Sequence, residues 1–220
     1  MNAMIVLAIV VIELFTSQGC SSCPPADALL AVLDKDPGVI VLSEHVDYWN
    51  HLGWRDPFSS NAFSARQQRY ARNFNQDGPY TPQMVVDGQV QFVGSDARRA
   101  REAIAKAGQG KKRPVQLTQE GNRIRVNVPA LGADGNVKTA ELWIALLRPE
   151  GAAEVPRGEN SGRTLRHVGI VRSLAKAGTA TRKQGVDHTF ELPSPEGGAW
   201  RVVAFLQEPG QGAIIGSGRL

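Results

Sequence analysis

Cysteine is scarce in this chain. Its 220 residues hold two, and neither a second C-x-x-C nor an H-x-x-x-H spacing accompanies them. A structural zinc site, which needs four protein ligands, is therefore not expected. No Gly-x-Ser-x-Gly elbow and no glycine-rich phosphate loop behind a strand is present, which argues against a serine hydrolase and a nucleotide-binding enzyme. Long apolar runs are missing too. The run from Met4 to Ile12 is too short to span a bilayer. It has neither basic residues before it nor a cleavage site after it, so it reads as a core strand and not as a leader. The net charge is only +4 and the arginines are scattered over both halves. Without a recognisable binding motif they do not point to nucleic acid. With 42% hydrophobic residues the chain is expected to be globular and of two domains.

Both cysteines fall in Thr16-Ser17-Gln18-Gly19-Cys20-Ser21-Ser22-Cys23-Pro24-Pro25. Ile5 to Phe15 before them is β-branched and almost wholly apolar, as a strand buried on both faces is, and Ala26 to Leu33 has apolar residues at helical spacing. The pair therefore sits at a strand-to-helix turn. Unpaired N–H groups and the positive dipole end at a helix start favour a thiolate over a thiol. Redox chemistry is the leading reading, beside a structural disulfide or two packed thiols. A bridge across so short a loop contributes little through chain entropy, which weakens the structural alternative.

Val39 to Val46 reads as a second strand, parallel to the first through the intervening helix. Ligands gather at the carboxyl ends of such strands. There His45, Asp47 and Trp49 are expected to face the cysteines, with His45 and Asp47 on one face by two-residue alternation and able to tune a thiolate. A satisfied structural hydrogen bond is the alternative for that pair. Pro57 to Phe74 reads as an amphipathic helix with a solvated basic side. Two short strands flank Asp87-Gly88, a hairpin signal, and Ser95 to Ala107 reads as a helix.

After the basic linker Gly108 to Pro114 the pattern changes to alternation and turns, with strands expected at Gln116 to Thr118, Arg123 to Val128, Glu141 to Leu147, Thr189 to Leu192 and Arg201 to Leu206. Arg163 to Ala177 is ambiguous between strand and helix. Gly158 to Arg163 reads as a polar loop, open to solvent or docked on the first domain. The expected fold is α/β, with an N-terminal α/β domain over 1–110 and a mostly antiparallel β-sandwich over 114–220.

The order β, α, β, α, β, β, α, with C-x-x-C after the first strand and Thr81-Pro82 before the third, resembles the thioredoxin and glutaredoxin superfamily. More narrowly, Glu13 to Asp27, His45 to Trp49, Tyr80 to Gly88 and Gly158 to Leu165 resemble an uncharacterised bacterial family of thioredoxin-like proteins often labelled secreted. The resemblance implies thiol–disulfide exchange, with Cys20 as nucleophile, Cys23 as resolving thiol and a cis Pro82 beside them. It implies that Thr81 presents its backbone to an extended substrate, with Tyr80, Ser21, Ser22, His45, Asp47 and Trp49 around it. It gives Glu13 the part of a buried acid relaying protons to Cys23, or else of a structural partner for a nearby donor. No cofactor and no resident metal is implied. The partners are protein or small-molecule thiols and disulfides, without stable membrane insertion, in a periplasmic or secreted setting. A copper- or zinc-binding protein using the cysteines with His45 or His51, and a non-catalytic binding module, are the readings from other classes.

Overall fold

The computed structural model describes residues 9–133, 135–194 and 198–220. Residues 5–8 of the expected first strand lie outside that set. The remainder forms β1 (Val10–Thr16), buried along its whole length. Its alternation divides it cleanly. Val10, Ile12 and Leu14 pack with helix α1 (Pro24–Leu33) through Ala26 and Leu30, so Val11, Glu13 and Phe15 point to the opposite face. Strand β2 (Val39–His45) runs parallel to β1, in register from Val10 opposite Val39 to Thr16 opposite His45.

Helix α2 (Asn61–Asn73) begins at Ser60, whose hydroxyl accepts from the Ala62 N–H, a cap that ordinarily contributes about 1 kcal/mol. Pro57 to Ser60 thus stay outside the expected helix. Strands β3 (Gln83–Val86) and β4 (Val90–Val93) form the hairpin, turning at Asp87 and Gly88 with φ of 49° and 66°. Helix α3 (Ala97–Gly108) follows, capped by Asp96 on the Arg99 N–H.

The second half is all strand: β5 (Arg113–Pro114), β6 (Gln116–Glu120), β7 (Arg123–Val128), β8 (Thr139–Val155), β9 (Arg163–Thr181), β10 (Val186–Glu191), β11 (Arg201–Gln207) and β12 (Ile214–Arg219). The ambiguous segment 163–177 is strand. It belongs to a long β8–β9 hairpin whose register shifts at Leu142/Trp143 and Leu146/Leu147. Such shifts bend a ribbon.

Among the described residues nine strands form one curled sheet in the order β4-β3-β1-β2-β9-β8-β11-β12-β5, and β10-β7-β6 form a second, smaller sheet. The fold is mixed α/β and mostly β. The two halves share the large sheet, because β2 pairs parallel with β9 at Ser43 opposite Ile170. Gly169 makes this crossing possible: its φ is +58° and a Cβ there would lie 2.7 Å from the Val41 carbonyl oxygen. The small sheet packs Ile124, Val126 and Val128 on Leu142, Val202, Ala204 and Leu206 of the large one. One layer of the expected sandwich is therefore the continuation of the first half's own sheet.

Helix α2 covers the face that β1 presents through Glu13, and its Phe63 packs with Leu147, Val203 and Phe205. The basic side of α2, expected from the sequence to be solvated, is so only in part: Arg72 is exposed, but Arg66 is buried. Its Nε donates to Glu13 at 2.5 Å, and its Nη2 donates to the side-chain oxygen of Gln207 at 3.0 Å. Burial works against that guanidinium, and Glu13, Tyr70 and Glu44 more than offset it, raising its pKa. The Glu13 carboxylate, buried on this face of β1, requires a cation, and α2 supplies it from its apolar side. No described helix is long and apolar enough to cross a membrane.

Candidate functional site

Strand β1 delivers the cysteine loop at its carboxyl end, and Pro24 starts α1 immediately after Cys23, where a missing N–H is no loss. Cys20 and Cys23 are joined in a disulfide, with Cα atoms 5.4 Å apart. Both are buried, Cys20 at 1% exposure, although Ser21 and Ser22 between them are exposed. Access to the sulfur is thus closed from most directions.

The Thr81–Pro82 bond is cis. Ser22 Oγ lies 3.3 Å from Cys20 Sγ and donates to the Thr81 carbonyl at 3.5 Å. Trp49 Nε1 donates to Thr81 Oγ1 at 2.8 Å, and Trp49 Cβ lies close over Gly19. Cys20, Cys23, Ser22, Thr81, Pro82 and Trp49 therefore share one site. Tyr80 turns its hydroxyl to Gln91 at 2.6 Å, while its carbonyl accepts from Gln67. Asp47 accepts from Ser64 Oγ at 2.5 Å on α2. Beyond the end of β2 the two-residue alternation lapses, so Asp47 does not pair with His45. Glu13 lies on the face of β1 away from α1, held by Arg66 and by the Tyr70 hydroxyl at 2.5 Å.

His45 finds a different acid. Its Nδ1 is 2.6 Å from Asp56 Oδ2, which also accepts the Gln18 N–H at 2.9 Å. Burial pushes the Asp56 carboxyl up, but His45 and the amides of Gln18 and Phe58 outweigh it and leave the pKa below the ordinary value. A second imidazole, His167 from β9, packs edge-on to His45 with ring centres 4.6 Å apart. Trp54 Nε1 donates to the Gln18 side-chain oxygen, which turns the Gln18 amide nitrogen to His167 Nε2 at 3.5 Å. His167 Nε2 is then an acceptor. Its Nδ1 faces Asp27 at 3.6 Å, and Asp27 accepts from Thr16 at 3.0 Å. This buried polar layer underlies the first turn of α1, where Asp27 stands one turn after Cys23.

The tip of the β8–β9 hairpin closes the other side. Glu159 accepts the Ser21 N–H at 2.8 Å, and the fully buried Asn160 donates to the carbonyls of Gln18 and Cys20, each at 2.9 Å. Arg163 donates to Asn160 Oδ1 at 2.8 Å. Hydrogen bonds from Ser21 hold the Glu159 carboxyl below its usual pKa. Of the two readings of Gly158 to Arg163, the docked one is observed. Asp56, Gln18, His167, Asp27, Glu159 and Asn160 were not singled out from the sequence. Asp27, one helical turn after Cys23, carried a signal that could have found it.

Among the described residues no group of three or more His, Cys, Asp or Glu side chains is disposed to hold a metal ion. A cavity of about 430 Å³ lined by Phe92, Arg99 and Lys106 lies between β4 and α3, by the Asp87 turn and away from the cysteines.

The same fold occurs in a structural-genomics protein of Agrobacterium tumefaciens, 29% identical, with a TM-score of 0.77 over 97% of this chain and 94% of that one. It is also found in HBP35 of Porphyromonas gingivalis, 16% identical, with a TM-score of 0.58 over 97% of this chain and 74% of that one. No curated protein matches the sequence. A family model described as "Protein of unknown function (DUF1223)" matches residues 11–207, from β1 through β11, and the chain belongs to that family.

Proposed function

We propose that this chain is a thioredoxin-like thiol–disulfide oxidoreductase working through Cys20 and Cys23. The observation that carries the reading is a bonded cysteine pair at the β1–α1 turn with the cis Thr81–Pro82 bond beside it, linked through Ser22. The order β4-β3-β1-β2, with only β1 and β2 parallel, supports the thioredoxin-like arrangement.

In the oxidising direction a substrate thiolate attacks the Cys20 sulfur. The Cys20–Cys23 bond breaks, and Cys23 leaves as a thiolate that takes up a proton. A second substrate thiolate then attacks the substrate sulfur of the mixed disulfide and expels Cys20. The substrate loses two electrons and the cysteine pair gains them. In the reducing direction each step reverses, with Cys20 as nucleophile and Cys23 as resolving thiol. The positive dipole end at the start of α1, whose first two residues Pro24 and Pro25 carry no N–H, favours the Cys20 thiolate in both directions. Thr81 offers its backbone to an extended substrate. A disulfide of this kind persists in an oxidising compartment, which supports a periplasmic or secreted setting.

The test is trapping. Cys23→Ser protein should accumulate a mixed disulfide through Cys20 with a model thiol–disulfide substrate, while Cys20→Ser should not. Wild-type protein that does not exchange with glutathione, together with Cys23→Ser protein that yields no trapped species, overturns the reading. So does reduced protein that purifies with about one equivalent of copper or zinc and loses it in His45→Ala, because thiolates committed to a metal cannot attack a disulfide.

A further inference from the structure

We infer that Glu159 is a positioning residue that biases the cysteine pair toward the disulfide, an inference that rests on the redox reading above. Glu159 reaches the site from the hairpin tip, 138 residues beyond Ser21, and takes the Ser21 N–H at 2.8 Å. That amide belongs to the residue directly after Cys20, in the turn that carries the sulfur. The contact therefore has two effects of the same sign. It occupies a donor near the Cys20 thiolate, and it places a like charge beside it.

The disulfide form carries no charge on sulfur and is indifferent to the carboxylate. The reduced form, whose Cys20 is a thiolate, is not. The remaining charged and titratable groups around the loop are partnered differently. Asp56 binds His45 and the Gln18 amide, Asp27 faces Thr16 and His167 beneath α1, and Arg163 is engaged by Asn160. Glu159 alone among them lies on the amide next to Cys20, and its side chain is exposed. Asn160, its neighbour, keeps it there by fixing the Gln18 and Cys20 carbonyls.

The balance concerned is Cys20–Cys23 disulfide plus two glutathione thiols giving the dithiol plus glutathione disulfide. One S–S bond breaks and another forms, two electrons pass from glutathione to the protein, and of the two thiol protons one goes to Cys23 and the other to solvent, because Cys20 is the thiolate.

The experiment is a charge series, Glu159→Gln and Glu159→Lys, each equilibrated with glutathione redox buffers, with the pH profile of Cys20 alkylation measured in parallel. Glutamine retains an acceptor for the Ser21 N–H, so the first step isolates the charge. For unit charges a few ångströms apart in a watery surround, each step should raise the equilibrium constant for reduction about threefold. The Cys20 pKa should fall in the same order. At about 0.5 M salt, where the screening length is about 4 Å, the steps should shrink toward none. A wild-type protein that does not equilibrate with glutathione at all overturns the redox reading and this inference with it. A wild-type protein that equilibrates normally, while the three charge states give equal or reversed constants at low salt, overturns the role of Glu159 alone. Equal melting temperatures across the series establish that the shift is not a loss of fold.

Discussion

Replacing Glu44 by glutamine should make the protein's stability less dependent on pH, and the direction follows from the counting of charges on the α2 face. Glu13 and Glu44 lie side by side on β1 and β2, both at 0% exposure, with Arg66 as the cation between them. Arg66 Nε is 2.5 Å from Glu13 but 3.7 Å from Glu44, and neither Glu44 oxygen has a hydrogen-bond partner among the described residues. Burial, and then the neighbouring Glu13, raise the Glu44 pKa well above 4.5 against the opposing pull of Arg66. The folded chain therefore keeps a proton that the unfolded chain loses. Stability falls as pH rises through the window that opens near 4.5 and closes at the folded-state value. One extra bound proton corresponds to a slope of about 1.4 kcal/mol per pH unit. Glutamine has no proton to lose, so the variant lacks this slope, and its advantage over the parent widens by that amount per unit inside the window. With a urea m-value of about 2 kcal/mol/M, the midpoints should separate by about 0.7 M for each pH unit. Urea titrations of both proteins at a series of pH values measure this. Parallel midpoints from about pH 5 upward would mean that Glu44 ionises in the folded state, and the account of this face would be wrong.

Asn160→Ala should destabilise the protein by about 1–3 kcal/mol, because it strands the Gln18 carbonyl and leaves the Cys20 carbonyl only the Cys23 N–H. It should also speed reduction of the disulfide by a small dithiol. Unchanged stability and an unchanged reduction rate together would show that the hairpin tip does not hold the loop. Gly169→Ala should lower the melting temperature more than Gly121→Ala. Both glycines have positive φ, +58° and +62°, but only at Gly169 does a Cβ meet the neighbouring strand. The strain alone is worth about 1 kcal/mol, and equal melting shifts would remove the steric part of the argument.

The local elements were legible in the sequence where pattern and turn chemistry agree: β1, α1, β2 and the Asp87-Gly88 hairpin. What was not legible depends on residues far apart in the chain. Arg66 lies on the stripe with Phe63 and Tyr70, and its inward position becomes intelligible only once Glu13, 53 residues earlier, is known to face it. Segment 163–177 resisted assignment because the register shift beside Leu147 breaks the alternation that would mark a strand. His167 falls within that stretch, which is why the second imidazole went unseen. His45 was expected to work with Asp47 by alternation, but β2 ends at His45 and its acid arrives from the next loop at Asp56. The continuity of the large sheet was illegible for a related reason: it hangs on a single pairing between Ser43 and Ile170.

The hairpin that covers the cysteines also gives the site a history during synthesis. Cys20 and Asn160 are 140 residues apart, and a ribosome adding roughly 5–20 residues per second needs roughly 7–28 s to bridge them. Through that interval β1, α1 and β2 exist without β9 beside them and without Glu159 and Asn160 over the loop. The nascent chain thus presents both thiols openly, to whatever oxidant or foldase meets it, before the later half of the same polypeptide arrives to shut them in.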